Sequence, residues 1–80
     1  MKFELTIDKT ALKFIAKQPP KEKIRILRAI NKLPEGDVLK MSGKYNLYRL
    51  RVGGYRIIYT IEEEVFMIRV IEAGNRGDIY

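Results

Sequence analysis

The sequence predicts an α+β domain in which an N-terminal strand and an α-helical hairpin pack on one face of an antiparallel sheet of about four strands. Three observations predict it. Apolar and polar residues alternate near both ends of the chain, and apolar residues recur at helical spacing between Ala11 and Leu33. The stretch from Tyr45 to Tyr59, YNLYRLRVGGYRIIY, reads as two strands joined at Gly53-Gly54, a dipeptide that accepts the positive φ angles of a tight hairpin turn.

Each element follows from local pattern. From Lys2 to Ile7, Phe3, Leu5 and Ile7 alternate with Lys2, Glu4 and Thr6, the pattern of a half-buried strand. Asp8 stands at the N-cap position of a first helix, whose Ala11, Leu12, Phe14 and Ile15 run at helical spacing to Lys17 or Gln18. Pro19-Pro20 forbids continuation, and Pro20 suits the opening of a second helix, Lys21 to Leu33, with Ile24, Leu27, Ile30 and Leu33 on one face. So short a link makes the pair a helical hairpin, with the stripes Leu12/Ile15 and Ile24/Leu27/Ile30 assigned to the core. Pro34 to Lys44 reads as a connecting loop.

In the central hairpin a two-glycine loop sets Val52 opposite Tyr55, Arg51 opposite Arg56, Leu50 opposite Ile57 and Arg49 opposite Ile58. Tyr48, Leu50, Val52, Tyr55, Ile57 and Tyr59 then share one face, while Arg49, Arg51 and Arg56 share the other. Glu62, Glu63 and Glu64 form a charged turn before a fourth strand from Val65 to Glu72. A tight turn at Glu63-Glu64 pairs Tyr59 with Ile68 and Ile57 with Val70, and brings Arg69 beside Ile58 with Arg49 across from it. The segment from Ala73 to Asp78 is glycine-rich and reads as irregular.

Eighty residues make one domain, 1–80, and no repeat or linker divides it. The chain contains neither cysteine nor histidine, which excludes disulfides, thiolate zinc sites, thiol nucleophiles and imidazole chemistry. No metal-ligand spacing or phosphate-binding glycine loop occurs, so no cofactor is expected. No apolar run approaches the roughly 20 residues that span a bilayer, and the N-terminus carries no signal-peptide core. A soluble, cytoplasmic protein without a membrane partner is the expectation.

The formal net charge of +6 predicts attraction to nucleic acid or acidic protein segments. Between Lys40 and Arg56 lie Lys40, Lys44, Arg49, Arg51 and Arg56 with no acidic residue among them. Like charges directly opposite one another cost a sheet about a few tenths of a kcal/mol or more, so Arg51 facing Arg56 calls for a return other than stability. A bound anion, most plainly a phosphate, supplies one. The competing assignment for each arginine is a solvated strand residue or an ion-pair partner of Glu62, Glu72 or Asp78, and Arg69 falls to it more readily than Arg51 and Arg56. Tyr45 lies on the arginine parity and is the tyrosine placed to meet a substrate, whereas Tyr48, Tyr55 and Tyr59 belong to the core.

Three segments together support a family resemblance: Leu39-Lys40-Met41-Ser42-Gly43, Leu47 to Tyr59 (LYRLRVGGYRIIY), and Asn75-Arg76-Gly77-Asp78-Ile79-Tyr80. The chain resembles, over nearly its whole length, the RelE toxins of bacterial and archaeal toxin–antitoxin systems within the RelE/ParE superfamily. The resemblance implies a ribosome-dependent mRNA endonuclease that cuts messages in the ribosomal A site and is held inactive by a cognate antitoxin. Carried over by motif, the catalytic residues are Arg49, Arg51, Arg56, Arg76 and Tyr80, with Lys40, Lys44, Tyr45 and Arg69 as candidates for RNA or ribosome contact. The reaction implied is attack of the ribose 2′-hydroxyl on the adjacent phosphodiester, without a metal. Arg56 and Arg76 are then the candidates for stabilising transition-state charge, because guanidinium offers a rigid fork of donors to phosphate oxygens. Arg51 would orient the scissile phosphate, and Tyr80 would transfer a proton or stack on a base. Some relatives carry lysine where this chain has Arg49 and Arg51, which leaves Lys44, Tyr80 or a ribosomal group as the base. Many relatives also continue into a further helix, where this sequence ends at Tyr80 with a free carboxylate. The competing function is that of a ParE-like poison of DNA gyrase, or of an inactive protein that only binds its antitoxin.

Overall fold

The computed structural model describes residues 3–41 and 46–75. The chain runs through strand β1 (Glu4–Ile7), helix α1 (Lys9–Ala16), helix α2 (Pro20–Asn31) and strands β2 (Val38–Lys40), β3 (Leu47–Val52), β4 (Tyr55–Glu62) and β5 (Met67–Asn75). Among the described residues these strands form one five-stranded sheet in the order β1-β5-β4-β3-β2. The expected α+β layering is present, with both helices on one face and, among the described residues, no helix on the other, here called the open face.

Two features of the sheet differ from the sequence reading. β2 is an extra strand where the pattern gave a loop: three residues are too few to show a period, and Val38 joins only because it lies opposite Leu50 at the core. β1 pairs with β5 in parallel, Glu4 opposite Met67 and Ile7 opposite Val70, so the sheet is mixed rather than antiparallel. The partner of β1 is chosen some 60 residues later in the chain, and no local pattern encodes its direction.

Asp8 occupies the N-cap position with extended backbone, φ −64° and ψ 152°, yet its side chain caps nothing. Its N–H instead donates to the Val70 carbonyl at 2.8 Å, fastening α1 to the sheet. At the other end of α1, Gln18 turns back so that Nε2 donates to the Phe14 carbonyl at 2.9 Å, and Oε1 accepts from the Tyr55 hydroxyl at 3.2 Å. Pro20 opens α2 as its first residue, where the missing N–H costs nothing.

The helical phase of the core is corrected by the structure. Ala11 and Ile15 of α1 and Ile26 and Ile30 of α2 are fully buried, while Leu12 and Ile24 are 49% and 50% exposed. Ile26 and Ile30 stand four apart on one face, and Ile24 lies two residues from Ile26, about 200° around the helix. α1 lies against β5 and α2 against β3. Beneath them Leu50, Val52, Ile57, Tyr59, Ile68 and Val70 complete the core. Tyr59 is wholly enclosed and stacks on Tyr48 at 5.5 Å between ring centroids, and burial, with the Tyr48 ring beside it, pushes its hydroxyl up to about 12.

The β3–β4 hairpin has the register that the two-glycine turn dictates, including Arg51 opposite Arg56. Gly53 adopts φ +58°, the left-handed value that a side chain resists. The β4–β5 register is different from the one expected: Tyr59 lies opposite Val70, Ile57 opposite Ala73 and Arg69 opposite Thr60. Instead of a tight turn, a 3-10 turn over Glu63–Val65 and a left-handed Phe66 (φ 49°) join the strands, which moves the pairing by two residues. A bulge then shifts it by one more between Ile58 and Tyr59, with Ile71 as the residue left over. Strict alternation from Ile68 and Val70 would have turned Glu72 toward the core. The bulge instead seats Ala73 there and turns Glu72 and Gly74 to the open face.

Candidate functional site

The open face gathers the side chains that alternate away from the core: Arg49 and Arg51 of β3, Arg56 and Ile58 of β4, and Glu72 and Gly74 of β5. Arg56 is its centre. Its side chain is only 8% exposed, although it sits on the face that carries no helix. The guanidinium lies flat over β5, because the residue opposite is Gly74: a Cβ there would stand 2.9 Å from Nη1. A glycine inside a strand marks such a close approach, and this was the available signal for Gly74, which the sequence reading left in an irregular tail.

The donors of Arg56 are poorly satisfied. Nε and Nη1 are buried and meet no hydrogen-bond acceptor, and Nη2 lies 4.0 Å from Glu72 Oε2, beyond hydrogen-bond length. Sequestering a cation with open donors costs several kcal/mol, offset here by the Glu72 carboxylate 4.0 Å from Nη2, and it makes Arg56 the candidate contact for an anion on this face. Ile58, 5% exposed and outside the helix-side core, pairs with Glu72 next to it and with Arg49 on its other side, giving the floor an apolar centre.

Arg51 does not press on Arg56, despite facing it. Its Nε donates to Asp37 Oδ2 at 3.1 Å, and its backbone N–H donates to the Asp37 carbonyl at 3.0 Å, which draws the side chain toward the β2 edge. Arg56 leans the opposite way, over β5. The two guanidiniums therefore diverge, and the cross-strand repulsion inferred from register is relieved by geometry. The strength of the anion argument passes from the facing pair to Arg56 alone.

The remaining candidates separate. Arg49 is half-buried between Leu39 and Ile58, on the same face. Arg69 shares the face but lies further along β5 beside Thr60 and Thr6, where Nε and Nη2 donate to the two carboxylate oxygens of Asp8 at 2.9 and 3.1 Å. That bidentate hydrogen bond raises the Arg69 pKa above its ordinary value, with the Asp8 charge adding to it. Arg69 is thus an ion-pair residue, with Asp8 as partner rather than any of the three acids considered from sequence. Lys40 is exposed but lies opposite Tyr48, on the helix-side parity, away from the arginines. Lys44, Tyr45, Arg76 and Tyr80 lie outside the described residues.

A second basic feature, unread in the sequence, runs around the β3 edge. A cleft of about 490 Å³ is lined by Lys21, Arg25 and Arg28 of α2, by Lys32 just after it and by Arg51 of β3, with exposed Ile24 and the acidic Glu35 and Asp37 also in its walls. Arg25 lies across the hairpin turn, where a Cβ on Gly53 would stand 2.8 Å from its Nη1. Among the described residues no cluster of carboxylates fit to hold a metal occurs, and no helix is long and apolar enough to cross a membrane.

Comparison with known proteins agrees with this architecture. The family model described as the ParE toxin of the type II toxin–antitoxin system parDE matches residues 5–80. A protein of Methanocaldococcus jannaschii that carries the toxin name RelE1 is 32% identical over 81 residues, covering 89% of each chain. The RelE–RelB complex of Pyrococcus horikoshii superposes with a TM-score of 0.81 at 28% identity, over 98% of this chain and 99% of that one. The RelB–RelE complex of Methanococcus jannaschii does so with a TM-score of 0.77 at 27% identity, over 94% of each. With a family model matched along nearly all of its length and an archaeal relative similar over nine-tenths of it, the chain belongs to the RelE/ParE superfamily of toxins from type II toxin–antitoxin systems.

Proposed function

We propose that the protein is a ribosome-dependent mRNA endonuclease whose substrate supplies the nucleophile through its own 2′-hydroxyl. The observation that carries this reading is Arg56: a buried guanidinium with unpartnered donors on the sheet face that no helix of the described residues covers. A scissile phosphate drawn to the Arg56 guanidinium would meet it at Nη2, and the fixed charge there would hold the added charge of the phosphorane. Arg49 and Arg51 extend the cationic floor along β3. Arg76 and Tyr80 complete the proposed catalytic set from the family motif, as charge stabiliser and as proton carrier or stacking ring. Its partners in this reading are the ribosome with mRNA in the A site and a cognate antitoxin, as in the RelE–RelB complexes of the two archaeal relatives. The cytoplasm is the compartment where all of these meet.

Primer extension on mRNA translated in a purified system tests the reading. Expected are protein-dependent cuts within codons, reduced on the order of 100-fold or more by Arg56→Ala, since one charge-stabilising donor group carries that much of such a rate. One finding favours a second reading, namely that the matching family model is named for ParE. A ParE-like protein would act on DNA gyrase without hydrolysing RNA. Inhibition of gyrase supercoiling, with translated mRNA left intact, would replace the nuclease by the gyrase poison.

A further inference from the structure

Resting on the nuclease reading, we infer that Glu72 is the general base that takes the proton from the attacking 2′-hydroxyl. The reaction needs an acceptor, and the chain offers neither histidine nor cysteine. Arginine does not give up its proton in proteins, so Arg49, Arg51 and Arg56 can bind the phosphate without serving as base. Of the other candidates Lys40 lies on the other face, and Lys44 and Tyr80 lie outside the described residues, so the assignment is made among the described side chains. The carboxylates of the described residues on or beside the open face are Glu4, Asp8, Asp37, Glu62 and Glu72. Asp8 is consumed by Arg69, and Asp37 by Arg51. Glu4 pairs with Met67 and Glu62 with the same residue, at the opposite end of β5 from Gly74.

Glu72 differs from all of these in two respects. It stands two residues from Gly74 on the same face, with Oε2 4.0 Å from Arg56 Nη2, so it reaches the anion site without being hydrogen-bonded into it. Its side chain is also 57% exposed on the side from which a substrate must arrive. A phosphate oxygen against Nη2, the guanidinium nitrogen beside Glu72, brings the neighbouring ribose hydroxyl within reach of that carboxylate, which has acceptor oxygens and no competing donor of its own. The groups that bear on this carboxylate are Arg56 from β4, Arg49 and Arg51 from β3, and Arg69 with its Asp8 partner along β5. The β5 bulge is what delivers Glu72 to this face, so the same irregularity supplies both the bed for Arg56 and the proton acceptor.

The step balances without another reactant. Glu72 takes the 2′-hydroxyl proton as the O2′–P bond forms. The P–O5′ bond breaks with its electron pair on the 5′-oxygen, which takes a proton from water, and Glu72 returns its own proton to solvent. The products are a 2′,3′-cyclic phosphate and a 5′-hydroxyl.

Single-turnover cleavage of ribosome-bound mRNA, with and without added formate, tests the assignment, with circular dichroism confirming that each variant folds. Glu72→Gln and Glu72→Ala should each slow cleavage on the order of 100-fold or more and leave ribosome affinity unchanged or tighter, and formate should restore part of the Glu72→Ala rate by standing in as the carboxylate base. Glu72→Asp should keep cleavage at a reduced rate. Glu72→Gln cutting within about threefold of the unaltered protein, or a slow Glu72→Ala that formate does not rescue, would overturn the assignment, the second result making Glu72 only a positioning residue for Arg56. If the unaltered protein and Glu72→Gln cut alike while Arg56→Ala does not, the inference fails and the nuclease reading stands. If the unaltered protein cuts nothing, both fail.

Discussion

Arg56 sets function against stability at a single side chain. A buried cation whose Nε and Nη1 find no acceptor destabilises the free protein, and an apolar side chain of similar shape would not. Arg56→Met should therefore raise the urea midpoint, by about 1 kcal/mol or more in folding free energy, while abolishing cleavage. Equal or lower stability would mean that the guanidinium is better satisfied than its contacts indicate. Tyr59 makes a second prediction, one of pH. Its hydroxyl is raised from 10.0 to about 12 by burial, so between those values the folded state holds a proton that the unfolded chain releases. Stability is fully present below pH 10 and is lost as pH rises toward 12, by on the order of 1 to 2 kcal/mol. Tyr59→Phe should flatten this alkaline slope in denaturation midpoints measured across the window.

The elements show how much of the molecule could be read in advance. The β3–β4 hairpin was legible to the last pair, because a two-residue loop leaves one register and the tyrosine and isoleucine parity agrees with it. The phase of α2 was not: Ile24, Leu27 and Ile30 fit a helical stripe as well as Ile26 and Ile30 do, and only the sheet below decides which side is covered. Ile26→Ala should thus cost about 2–5 kcal/mol and Ile24→Ala under about 1 kcal/mol, and equal losses in thermal unfolding would contradict the burial seen here. β5 was half legible. Its alternation from Ile68 to Val70 is plain, but a bulge is one extra residue with no sequence mark, and it decides the side on which Glu72 and Gly74 emerge. Of the site, the arginines of β3 and β4 could be found by parity, whereas the depth of Arg56, the escape of Arg51 to Asp37 and the capture of Arg69 by Asp8 depend on neighbours distant in sequence.

The molecule as a whole carries a net charge of +6 on 80 residues, and two groups of its basic residues are adjacent, one on the open face of the sheet and one in the α2 cleft around the β3 edge. Arg51 borders both, so a long anionic partner can follow the surface from one to the other. Between these regions the core is held by a sheet whose first strand joins only its last, β1 against β5. That pairing has a temporal meaning. A chain made from its N-terminus has β1 and both helices in hand well before Met67 to Asn75 are made, yet β1 has no partner and Arg56 no bed on Gly74 until then. The Arg56 site is therefore completed by the last described strand to be synthesised, and so is the partner of the first.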